Sequence, residues 1–102
     1  MLFSAHILTD RANRLRRLEE VLGFTHVALE WVDEANSKRY CLTSSGVMII
    51  KALHEDFVIT AWMATVDQLY RMCLMMGKAQ MPPKLYKRVS KNMERHRDLL
   101  EA

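Results

Sequence analysis

Four polar residues on otherwise apolar segments carry the side chains needed to cleave a phosphodiester: His6, Arg39, Thr43 and Thr60. A histidine can act as general base or acid toward a ribose 2′-hydroxyl, and an arginine can stabilise charge on the phosphoryl oxygens. The two threonines would donate hydrogen bonds from strands whose period of two could place them on one sheet face. The alternative is structural, because a histidine near a helix start often caps it and threonine is ordinary in strands.

The C-terminal part of the chain carries a dense set of basic residues. Five of them recur at spacings of three and four, which places them on one face of a helix: Lys84, Lys87, Arg88, Lys91 and Arg95. Such a stripe attracts phosphate backbones without distinguishing their sequence. Tyr86 and His96 lie nearby and could add stacking on a base. The alternative is a solvated face that keeps the protein soluble.

Cysteine and histidine side chains suit zinc, and the candidates are His6, His26, His54, Cys41 and Cys73. None are paired at the short spacing of structural zinc sites, so buried thiols explain the cysteines better. The chain also has no phosphate-cradling glycine loop, no nucleophile elbow, no CxxC and no HExxH. We therefore expect no metal and no cofactor.

Length and composition predict a single α+β domain over residues 1–102, since half of the residues are hydrophobic and only five are Gly or Pro. No apolar run approaches the roughly 18 residues of a membrane span, and the N-terminus does not resemble a secretory signal. We expect a cytoplasmic protein without a membrane partner. The net charge of +3 combines a net −2 over residues 24–60 with a net +4 over residues 61–102.

Apolar residues at helical spacing predict a first helix over residues 4–22, with Ser4 as N-cap and Gly23 as the stop. A start at Thr9 is the alternative, because Thr9-Asp10 also suits a helix cap. From residue 24 to 65 the period changes to two, which predicts four strands. Their short connections favour an antiparallel meander.

Two helices are predicted after the sheet. Thr65 and Gln68 form a capping box for the first of them. Its inward residues are expected to be Val66, Leu69, Tyr70, Cys73 and Met76. Pro83 suits the first position of the final basic helix, expected at about 83–101. The predicted fold is thus α+β, with an N-terminal helix, a four-stranded antiparallel meander sheet and two C-terminal helices.

Three segments resemble small uncharacterised α+β proteins carried by phages and prophages: residues 39–50, residues 57–65, and the Met-Pro-Pro-Lys-Leu-Tyr of residues 81–86 with the basic helix after it. More remotely, a helix histidine (Ser4-Ala5-His6) and a strand ending Val58-Ile59-Thr60 resemble the RelE/barnase-like ribonuclease toxin superfamily. In that group such residues surround an RNA phosphate, which implies site roles for His6, Arg39, Thr43 and Thr60. Two departures from the group are the net −2 sheet region and the two additional helices.

The leading hypothesis is a small phage-type protein that binds nucleic acid, most simply RNA, and that would be a metal-independent endoribonuclease if it is an enzyme. The alternative is a non-enzymatic, phage-encoded inhibitor of a host defence complex, of the anti-CRISPR type, that acts by protein–protein binding in the host cytoplasm. For that function, acidic residues at strand ends would meet a basic groove: Glu30, Asp33, Glu34, Glu55 and Asp56. A third hypothesis is a homo-oligomer whose interface contains Trp31, Trp62 and the Met cluster, which consists of Met63, Met72, Met75 and Met76.

Overall fold

The computed structural model describes residues 2–3, 12–24 and 26–100, and it confirms the predicted α+β fold. In this part of the chain, one helix, a four-stranded antiparallel sheet and two further helices follow one another. In chain order the elements are β1 (Leu2–Phe3), α1 (Ala12–Leu22), β2 (Val27–Asp33), β3 (Lys38–Thr43), β4 (Val47–Ala52), β5 (Phe57–Met63), α2 (Val66–Met75), α3 (Pro83–Arg95) and a 3₁₀ turn (Arg97–Leu99).

The strands form one sheet in the order β1-β5-β4-β3-β2, in which β2 to β5 are the predicted meander. The sequence does not predict β1, whose two residues pair in parallel with Phe57 and Val58. Two residues are too few to show a periodicity, so only the tertiary structure reveals this strand. At the other side of the sheet, β2 is an edge strand.

Helices pack on both faces of the sheet, and each face has its own apolar cluster. Leu42 of β3 packs with Leu69 of α2 and Val89 of α3 on one face, which we call the α2/α3 face. Its neighbour Cys41 packs with Leu18 of α1 on the opposite face, which we call the α1 face. Successive residues of β3 therefore serve two different cores, as strand alternation requires.

The first predicted helix is present from Ala12 to Leu22, and its expected N-cap, Ser4, lies outside the described residues. Gly23 confirms the predicted stop. Its φ of +74° is favourable for a residue without Cβ, and its N–H donates to the Glu19 carbonyl at 2.9 Å. Leu18 of this helix is fully buried, at 2 % exposure.

The capping box predicted for α2 is confirmed. The Thr65 hydroxyl accepts from the Gln68 amide, and the Gln68 side-chain oxygen accepts from the Thr65 N–H at 3.0 Å. The same oxygen also accepts from the Trp62 indole at 2.9 Å, which ties the end of β5 to the helix. The inward position predicted for Tyr70 is wrong, since its side chain is 52 % exposed and Met72 is buried instead. The side of α2 that carries Leu69, Met72 and Cys73 packs against the sheet, and Tyr70 lies on the exposed side.

The final helix begins at Pro83 as predicted, but it ends at Arg95 and not near residue 101. His96 leaves the helical region, with φ −125° and ψ 51°, and a 3₁₀ turn follows. This turn places Leu99 in the α1-face cluster, where it is 3 % exposed. A continued helix would not have brought the chain from the α2/α3 face to that second core. None of the helices in the described part of the chain is long and apolar enough to cross a membrane.

Candidate nucleic-acid interface

A buried asparagine holds α3 against the end of the sheet. Asn92 is 3 % exposed, and its Nδ2 donates to the carbonyl of Ser45 in the β3–β4 turn at 2.7 Å. The next residue, Gly46, has a φ of +94°, and a Cβ there would lie 2.5 Å from the Asn92 Nδ2. A residue without a side chain is therefore needed at the turn for this close approach of the helix. The contact decides which side of α3 faces solvent.

The structure leaves all five residues of the basic stripe exposed on one continuous helix. At about 100° per residue, Lys84, Lys87, Arg88, Lys91 and Arg95 fall within an arc of about 100°. The buried residues Leu85, Val89 and Asn92 lie on the adjoining arc. The stripe extends about 16 Å along the helix axis, at 1.5 Å per residue. Helix α3 thus presents five cations as one linear surface.

The two residues expected to add base stacking do not lie on this surface. Tyr86 is 43 % exposed, but it lies about 200° around the helix from Lys84 and so on the other flank of α3. His96 is half-buried at the residue where the helix ends. Any stacking partner beside the stripe must therefore come from another part of the molecule.

A groove of about 440 Å³ runs between the basic flank of α3 and the edge strand β2. Lys84 and Arg88 line it from the helix, and Ala28 and Ser44 line it from the sheet. The sequence does not predict this groove. No sequence signal could have found it, because it exists only where α3 crosses the end of the sheet next to β2.

Arg39 lies far from the basic stripe. It is half-buried on β3 and shares the α1 face with Cys41, two residues along the strand. Ser44, which lines the groove, is five residues away, or about 17 Å along the strand direction. The Arg39 Nε is buried and makes no hydrogen bond to any of the described residues. His6, its expected catalytic partner, lies outside the described residues.

Thr43 and Thr60 do not share a sheet face, so that prediction is wrong. Thr43 lies on the α1 face, two residues after Cys41, whereas Thr60 pairs with Ile50, which itself pairs with Tyr40 on the other face. Thr43 is also fully buried. Its hydroxyl accepts from the β4 backbone N–H of residue 47 at 3.0 Å, so it stabilises the β3–β4 turn and is not available to a substrate. Register and turn length decided this arrangement, and neither can be read from residue types.

Both cysteines are buried thiols in separate clusters, Cys41 on the α1 face and Cys73 on the α2/α3 face. Burial raises the pKa of the Cys41 thiol, and the Glu30 carboxylate, 3.6 Å away, raises it further. Burial likewise raises the pKa of the Cys73 thiol, and the positive charge of Lys78 partly offsets this rise. Within the described residues, no group of three or more His, Cys, Asp or Glu side chains is placed to hold a metal ion.

The acidic residues gather at the end of the sheet opposite the groove. Asp33 is the last residue of β2 and Glu34 follows it in the β2–β3 connection, whereas Glu55 and Asp56 lie in the β4–β5 connection. Alternate turns of an antiparallel meander lie at the same end, so these four carboxylates share one surface. The fifth candidate, Glu30, lies in the middle of β2 beside Cys41.

The residues expected at an oligomer interface are largely part of the core. Trp31 and Trp62 are half-buried and pack against the α2/α3-face cluster. Trp31 also contacts Tyr40, with ring centroids 5.4 Å apart. In the Met cluster, Met72 is buried but Met75 is 51 % exposed. Met75 on α2 is therefore the mostly exposed member of this set, and the two tryptophans are exposed in part.

No protein-family model, curated protein or solved structure matches the chain. The resemblance to phage proteins and to ribonuclease toxins stays a prediction. Function must therefore be argued from the chemistry of the site and not from the fold.

Proposed function

We propose that this protein binds nucleic acid through the sugar-phosphate backbone, with the basic stripe of α3 as the contact surface. The observation that carries the proposal is the placement of five exposed cations within one arc of a helix whose other side is anchored by Asn92. Because the helix is held rigidly, the cations need little reorganisation to meet a row of phosphates. Release of condensed counterions then supplies the binding free energy.

The number of cations sets a measurable salt dependence. If all five neutralise phosphates, log K against log salt has a slope of about −3.5 for a single strand and about −4.5 for a duplex. We would measure it by fluorescence anisotropy of labelled RNA across a salt series. Replacing Lys87 and Lys91 with alanine should reduce the single-strand slope to about −2.1.

A matched control removes two charges from elsewhere on the surface. Arg16 on α1 and Lys78 after α2 are both exposed and lie outside the stripe. The Arg16→Ala, Lys78→Ala double variant has the same net charge as the stripe variant and should keep the wild-type slope. If the two double variants behave alike, binding follows overall charge and the proposed surface is incorrect.

Ribonuclease activity stays a separate prediction, because the residues expected to carry it are spread over both faces of the sheet or lie outside the described residues. Its test is incubation of end-labelled RNA with the wild-type protein and with His6→Ala. Cleavage by the wild type alone would support a catalytic histidine. Absent cleavage, or equal cleavage by both, would leave a binding protein.

A second candidate function uses the acidic end of the sheet. There the carboxylates of two turns form one surface that a basic groove of a host defence nucleoprotein complex would fit. Glu34 and Glu55 are both exposed, so their reversal to lysine should abolish capture of such a complex from host lysate. Capture that persists in the reversed variant would contradict this function.

A further inference from the structure

The groove between α3 and β2 has two chemically different parts. Lys84 and Arg88 form a cationic wall, whereas the half-buried Pro82 and the nearly buried Leu29 and Leu85 form an apolar floor. A nucleotide has the same two parts, an anionic phosphate and the apolar face of a base. The volume of about 440 Å³ lies within the range of about 300–1,000 Å³ that is usual for small-molecule sites.

The wall formed by β2 offers hydrogen-bonding groups to a base edge. As an edge strand, β2 has backbone N–H and C=O groups that face away from β3. Val27 and Leu29 both pair with β3, whereas Ala28 between them has no partner in the register. This bulge sits in the wall of the groove, and Ser44 adds an exposed hydroxyl beside it. Bulges commonly occur beside binding sites, where they redirect a strand.

We propose that this groove binds one unstacked nucleotide of a single-stranded nucleic acid. Its phosphate would lie at Lys84 and Arg88, and its base would lie against Leu29 and Leu85. The inference rests on the proposed nucleic-acid binding and adds the substrate class. A duplex keeps its bases stacked inside, so it can contact the convex stripe but cannot place a base in a groove beside the helix. Single strands should therefore bind more tightly than duplexes of the same sequence.

The test fills the groove without changing any charge. In Ala28→Phe the larger side chain occupies the space of the base, and phenylalanine suits an exposed strand position. Val32→Phe is the matched control, because Val32 is exposed on the same strand but does not line the groove. Ala28→Phe should weaken single-strand binding at least about fivefold, because the base no longer buries its apolar face in the groove. Its duplex affinity and salt slope should stay those of the wild type.

Chemical shifts of the unmodified protein give an answer that does not depend on a variant. Titration with a nucleoside monophosphate should shift the backbone amides of Ala28, Ser44, Lys84 and Arg88, and inorganic phosphate should shift those of the two cations alone. Equal single-strand affinity of Ala28→Phe and the wild type, or no shift at Ala28 and Ser44, would overturn the nucleotide site. The stripe variant tests the proposed function separately, since Lys87 and Lys91 do not line the groove.

Discussion

Replacement of Gly46 with alanine tests whether the β3–β4 turn determines the position of α3. Two costs add at this position. The φ of +94° places the backbone in the left-handed region, and a residue with a Cβ costs about 1–2 kcal/mol there. The new Cβ would also lie 2.5 Å from the Asn92 Nδ2, so the asparagine must move and its buried hydrogen bond to Ser45 is lost, at about 1–3 kcal/mol. We expect a total destabilisation of about 2–5 kcal/mol.

Gly77→Ala is the matched control for the backbone cost. Gly77 has a φ of +70°, but no atom of the described residues lies within 4 Å of the position that a Cβ would take there. Its substitution should cost only the first contribution, about 1–2 kcal/mol. The free energy of unfolding of each variant is measured by urea denaturation, with the two-state character checked by two probes. Equal losses in the two variants would refute the argument that the turn and α3 are in close contact.

A double variant separates the clash from other effects of the Gly46 substitution. In Gly46→Ala, Asn92→Ala the atom that meets the new Cβ is absent. The two losses should therefore be less than additive, with a coupling of about 1 kcal/mol or more. Strict additivity would show that the Asn92 side chain does not cause the cost of Gly46→Ala.

Three further predictions concern buried or paired groups. Cys41 should resist alkylation at neutral pH in the folded protein, because burial raises the pKa of its thiol, and should react quickly in denaturant; equal rates would contradict its burial. The hydrogen bond from Arg17 holds the pKa of Asp98 below its ordinary value, so its contribution to stability is present above about pH 4 and is lost as the pH falls through the lowered pKa. Arg17→Gln should flatten that part of the pH–stability profile. An unchanged profile would show that the Arg17–Asp98 hydrogen bond does not cause the pH dependence. Thr43→Val should lower the free energy of unfolding by about 1–3 kcal/mol, because it leaves a buried β4 amide unpaired. Thr60→Val should lower it by less. The RNA affinity per folded molecule should not change in either variant.

Local chemistry made several elements predictable from the sequence. The capping box of Thr65 and Gln68, the stop at Gly23 and the start at Pro83 depend on hydrogen bonds and φ preferences within a few residues. The period of two over residues 24–65 identified the four meander strands, because the alternation of side chains in a strand is also visible within a few residues. The spacing of the basic residues likewise placed them on one helix face, because helical geometry repeats every 3.6 residues.

Contacts between distant segments decided how these elements pack and which side chains lie together. The buried bond between Asn92 and Ser45 sets how α3 crosses the end of the sheet, and this crossing creates the groove beside β2. Strand register placed the two threonines on opposite faces, since Thr60 pairs with Ile50 and Ile50 pairs with Tyr40. Spacing along the chain carries no information about these approaches, because each depends on the packing of whole elements. The sequence by itself therefore determined which residues could meet a phosphate, and the tertiary structure decided which of them stand together around a site.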